Sequence, residues 1–107
     1  MISLVIRQIE PGQRERLADW LREVDGPRRA EALATLAAEG ITHEKAVILD
    51  TSDGPLLVYA MESEDADRAK AVAERSEHAI DAEHREVMRS AVGGRPPFEV
   101  VLDLRLP

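Results

Sequence analysis

Lys45-Ala46-Val47-Ile48-Leu49-Asp50-Thr51, then Ser52-Asp53-Gly54-Pro55, then Leu56-Leu57-Val58-Tyr59-Ala60-Met61 is the stretch on which the fold turns. Two runs of β-branched, aliphatic and aromatic residues flank four turn-forming ones. Such runs read as strands, and an Asp-Gly-Pro connection between them reads as a hairpin turn. Residues Ile41 to Thr51 and Leu56 to Glu62 are therefore expected to pair antiparallel. Upstream, residues 2 to 9 alternate as a strand does, with Ile2, Leu4 and Ile6 on one face and Ser3, Val5, Arg7 and Ile9 on the other. After Pro11-Gly12, Leu17, Trp20, Leu21 and Val24 follow helical spacing. Asp25-Gly26-Pro27 breaks that helix, because proline lacks the amide that the helical ladder needs. A second helical piece carries Ala30, Leu33, Leu36 and Ala37, and Gly40 stops it.

Downstream of the hairpin, Ser63 is expected to cap a helix whose first turn holds Glu64 and Asp65. The helical pattern runs on to Val92, Gly93-Gly94 ends it, and Pro96-Pro97 leads into a last strand from Phe98 to Leu106. The resulting order is βαββαβ. It predicts an α+β, ferredoxin-like fold over residues 1–107 as one domain: a four-stranded antiparallel sheet with the helices on one face.

Composition limits the function classes. The 107 residues are 44% hydrophobic and 33% charged, a globular balance. Without cysteine there is neither a disulfide framework nor a thiol nucleophile. Fourteen basic against 21 acidic residues give a net charge of −7, which repels phosphate backbones and acidic lipid headgroups. Neither a nucleic-acid nor a membrane partner is expected. The N-terminal residues lack a basic leader and a long apolar run, so a cytoplasmic location is expected.

Strand phase divides the sheet into two faces. Ile2, Leu4, Ile6, Ala46, Ile48, Val58, Ala60, Val100, Leu102 and Leu104 make a set suited to lie under helices. The opposite set mixes Val5, Ile9, Val47, Leu49, Leu57, Met61 and Val101 with Arg7, His43, Lys45, Tyr59, Glu99, Asp103 and Arg105. Seven large apolar side chains facing water forfeit roughly 1.5–3 kcal/mol each, so a second copy is expected to close over this face as a homodimer. The enclosed, partly polar space between two sheets would suit a small ligand. Arg7, Tyr59, His43 and Arg105 are its candidate binding residues. The same charges also fit cross-strand ion pairs that set register.

The last helical segment holds the remaining candidates. Ala66, Ala69, Ala73, Ser76, Ile80, His84, Val87 and Ala91 share one stripe, so His84 points at the core or a cavity and needs a hydrogen-bond partner. His78, Asp81 and His84 are spaced three apart. A carboxylate beside an imidazole fixes its tautomer and raises its basicity, as a general base requires. His84, His78 and Asp81 are the catalytic candidates, against the plainer reading of a core histidine and a solvated pair. No metal is expected, since His78 and His84 lie on different helix faces and His43 is remote in sequence. No cofactor fingerprint occurs.

The βαββαβ order, the broken first helix, the mixed sheet face and the segment Ser76-Glu77-His78-Ala79-Ile80-Asp81-Ala82-Glu83-His84 resemble the dimeric α+β barrel superfamily, and within it a small uncharacterised family of unknown function. The superfamily includes antibiotic-biosynthesis monooxygenases, muconolactone isomerases and chlorite-dismutase-like proteins. The resemblance implies the fold and a homodimer; it carries no shared catalytic residues. The expected function is binding of a small apolar-acidic or phenolic molecule, with isomerase, cyclase or cofactor-free monooxygenase chemistry by a histidine acid/base. The alternative is a non-catalytic dimeric module.

Overall fold

The hairpin forms as its turn chemistry demands. In the computed structural model, which describes residues 1–107, Gly54 takes a φ of 115°, a value that a side chain would strain. Thr51 Oγ1 donates to the Gly54 carbonyl and accepts from the Asp53 amide, closing the corner. Strands β2 (Ile41–Thr51) and β3 (Gly54–Ser63) pair from Thr51↔Gly54 back to Ile41↔Ser63, with a register irregularity between Ile41 and His43. Strand β1 (Ile2–Gln8) pairs antiparallel with β3, from Ile2↔Glu62 to Gln8↔Leu56.

Helices α1 (Arg14–Asp25) and α2 (Arg29–Glu39) are separated at Gly26-Pro27, and Gly40 ends α2 with a φ of 74°. Arg14 grips Asp50 through two 2.8 Å bonds and ties α1 to β2. The last helical stretch is not continuous: α3 (Ala66–Glu74) and α4 (Ala79–Ala91) are separate helices. Ser76 Oγ accepts from the His78 amide and donates to Asp81, so a side chain takes over bonds the helical ladder would have made. Asp65, not Ser63, caps α3 by accepting from the Arg68 amide at 3.0 Å; Ser63 is the buried last residue of β3.

The sheet has three strands, in the order β1-β3-β2, and not the four expected from sequence. The class α+β stands; the fourth strand does not form. After α4 the chain meets β1 only at its end, through the bridge Ile9↔Val92 and bonds between Gln8 and Gly93-Gly94. Pro96 and Pro97 then come next, and neither has an N–H to continue a ladder. Residues 98–106 carry no secondary structure and are exposed throughout.

The faces are also reassigned. Leu57 and Tyr59 lie in the core with Ile9, Leu17, Ala91 and Val92, and Val5, Ala46 and Ile48 pack against them. The helix-covered rows are thus Val5↔Tyr59↔Ala46 and Arg7↔Leu57↔Ile48. The expected phase holds for β2 and is inverted for β1 and β3. In β3 both phases are largely apolar, so alternation could not decide there; in β1 the covered phase is the more polar one, carried under the helices by its pairing with β3. The face without helices holds Ile2, Leu4, Ile6, Val47, Leu49, Val58 and Ala60, with Ile2 at 64% and Leu49 at 51% exposure. No helix is long and apolar enough to cross a membrane.

Candidate functional site

Three aromatic rings from three elements meet in the layer between helices and sheet. Trp20 sits on the buried face of α1, and its Nε1–H donates to His84 Nδ1 on α4 at 2.9 Å. The two rings lie 6.3 Å apart, inclined by 29°. Tyr59 of β3 meets His84 edge-on, with centroids 6.2 Å apart. Because Nδ1 accepts, His84 is neutral and carries its proton on Nε2. Burial pushes its pKa down, Asp81 opposes that shift and Arg85 adds to it. Outside this layer, Arg28 covers Trp20, its guanidinium carbon 5.7 Å from the ring centroid, and pairs with Glu31 and Glu83.

Tyr59 is 7% exposed, and its phenol pKa is pushed up by burial and then by Glu44, so it stays protonated. Its hydroxyl engages no protein group. No fully buried side-chain polar atom lacks a partner, so this oxygen keeps contact with solvent. It is a free hydrogen-bond donor beside the Trp20–His84 pair.

Next to this cluster, an open cleft of about 510 Å³ lies between α2 and the α3–α4 corner, lined among others by Thr35, Glu39, Arg75, Ser76, His78 and Asp81. Asp81 is held by the Ser76 hydroxyl. Glu39, half-buried in the wall, is pushed up to about 7 by burial, then by the charges of Asp81 and Glu44. Glu44 is raised by the same causes, burial and then Asp81. The residue as a whole is exposed and its carboxyl only partly desolvated, so Glu39 is the more perturbed group.

Of the residues expected from sequence, His84, Asp81 and Tyr59 come together here. His78 reaches only the rim: it is exposed, and its backbone rather than its side chain begins α4. Arg7 lies elsewhere. Its strand is an edge strand, and its Nε donates to the Gly93 carbonyl at 2.9 Å. His43 is exposed on the sheet face without helices, and Arg105 is exposed in the C-terminal segment. Neither lines the cleft. No group of three or more His, Cys, Asp or Glu side chains is placed to hold a metal ion.

Sequence reasoning missed Trp20 as a partner of His84, and Glu39 and Glu44 altogether. Glu44 left a signal: it is in phase with Ala46 and Ile48, the covered positions of its strand. Glu39 left none, since the last residue of an amphipathic helix is ordinarily solvated.

No curated protein and no solved structure matched the chain. A family model matched residues 2–106, nearly the whole length. The chain belongs to that family, described as a family of unknown function, DUF6176.

Proposed function

We propose that this protein binds a small polar molecule in the cleft between α2 and the α3–α4 corner, exchanges a proton with it, and works as a homodimer. The observation that carries the ligand reading is that Glu39 and the Ser76-held Asp81, from the two sides, both line one cleft of about 510 Å³. That volume suits a small molecule. Burial, and after it the charges of Asp81 and Glu44, lift Glu39 to where it exchanges a proton near neutral pH, which makes it an acid/base at the ligand. His84 does not line the cleft, and Trp20 occupies its Nδ1. It acts behind the wall as a positioning residue, with Asp81 between it and the ligand. The acidic lining, Glu39, Glu77 and Asp81 against Arg75, favours a ligand with amino or hydroxyl donors over the acidic or phenolic one expected from sequence.

The uncovered sheet face supports the dimer, since Ile2, Leu4, Val47 and Leu49 are each at least 42% exposed. A thermal-shift and calorimetric screen with small amines and polyols tests the ligand reading. Hits should stabilise the wild type and lose most of that effect in Glu39→Gln and Asp81→Asn. Equal binding by all three proteins would remove the cleft as the site. A dimer that binds nothing in the screen would leave the non-catalytic module, the reading that the exposed sheet face by itself favours.

A further inference from the structure

Residues 95–107 make no hydrogen bond and no ion pair with the rest of the chain. Yet Phe98-Glu99-Val100-Val101-Leu102-Asp103-Leu104-Arg105-Leu106 has an apolar residue at every second position, as a strand that buries one face does. Phe98, Val100, Leu102, Leu104 and Leu106 fall in one row and are between 50% and 91% exposed. An apolar row of that length left in water is unfavourable, and it needs both a backbone edge and an apolar surface.

Strand β1 offers both. The Ser63 amide bonds the Met1 carbonyl and the Ile9 amide bonds the Pro55 carbonyl, at opposite ends of an unbroken register with β3. The odd-numbered residues of β1 therefore bond to β3, and the N–H and C=O groups of Ile2, Leu4, Ile6 and Gln8 point out from the sheet edge. Those of Gln8 are taken by Gly93 and Gly94. The groups of Ile2, Leu4 and Ile6 have no strand beside them, and their side chains lie on the uncovered face.

We propose that the C-terminal arm of one copy pairs along the β1 edge of a second copy, and that the second copy returns its own arm. This rests on the homodimer inferred above and specifies how the two copies are joined. Each chain keeps its three strands; the added strand belongs to the partner. Pro96-Pro97 stiffens the exit from Gly94 and withholds the amides that would let the arm continue along its own β1. On the partner, the apolar row of the arm lies beside Ile2, Leu4 and Ile6. Its other row, Glu99, Val101, Asp103 and Arg105, falls on the side of Arg7, whose guanidinium pairs with no carboxylate in its own chain. Glu99 and Asp103 supply the complementary charge.

The chain has no cysteine, which makes the test direct. Ser3→Cys is combined in turn with Glu99→Cys, Val101→Cys or Asp103→Cys, positions expected on one side of the joined strands, and the purified proteins are oxidised. At least one combination should run at twice the chain mass on a non-reducing gel and return to single mass on reduction. A disulfide formed within a single chain, or no disulfide in any combination, would overturn the exchange. Val100→Asp with Leu104→Asp is the second variant; these side chains make no hydrogen bond or ion pair in the chain, so helical circular dichroism should be unchanged while sedimentation shows loss of the dimer. A dimer that persists overturns the arm's role and leaves the sheet-face dimer standing, whereas a monomeric wild type at micromolar concentration overturns both.

Discussion

Replacing Glu39 by glutamine keeps the size of the side chain and removes a half-buried carboxyl that feels the charges of Asp81 and Glu44. The magnitude follows from the displaced carboxyl. A rise from 4.5 to about 7 corresponds to about 3 kcal/mol at 1.36 kcal/mol per pH unit. Glu39 is only half-buried, so solvent screening reduces this to about 1–2 kcal/mol. The sign is set by proton binding. Between pH 4.5 and about 7 the folded chain holds a proton on Glu39 that the unfolded chain has released, so stability falls as pH rises through this window and then levels off. Urea unfolding of wild type and Glu39→Gln, at about pH 4.5 and about pH 8, measures the effect. The wild type should lose about 1–2 kcal/mol relative to the variant between the two conditions, while groups common to both proteins cancel. Parallel stability curves would refute the raised proton affinity that burial and the neighbouring charges give Glu39.

Other outcomes follow from the same structure. Trp20→Phe leaves His84 Nδ1 without its donor and should destabilise by about 1–3 kcal/mol in urea; unchanged stability would mean that the bond contributes nothing net. His84 titrates below its ordinary 6.5 when folded, so the unfolded chain takes up a proton that the folded chain refuses, and stability falls as pH drops below 6.5. NMR titration of the His84 ring should find its midpoint below those of histidines in denatured chain. Leu57→Ala empties a fully buried position under α1 and α4 and should cost about 2–5 kcal/mol. Asp65→Ala removes the α3 cap and should cost about 1 kcal/mol, mostly regained by Asp65→Asn.

The local elements were legible because their signals are local. The hairpin, the break at Asp25-Gly26-Pro27 and the stop at Gly40 follow from turn residues and lie where the sequence places them. The stripe through Ala69, Ile80 and Ala91 was legible as well, since those are the buried residues of α3 and α4. His84 was recognisable as a polar residue on that stripe, in need of a partner. The break at residues 75–78 was not, because it arises from one hydroxyl competing for backbone and carboxylate bonds.

Chain chemistry alone thus determined the order of strands and helical stretches up to Ala91, save the break at residues 75–78, and the turns that join them. Tertiary structure decided the rest. It chose which face of β1 and β3 lies under the helices: Leu57 and Tyr59 of β3 dock with Leu17, Ala91 and Val92, and pairing with β3 then puts Val5 and Arg7 on that side in place of the more apolar Ile2, Leu4 and Ile6. It brought Glu39, Glu44 and Asp81 from three elements near enough to feel one another's charge, a proximity with no trace in sequence spacing. And it left Phe98–Leu106 outside the sheet: strand propensity is a property of nine residues, but a strand exists only where an edge is within reach of their backbone.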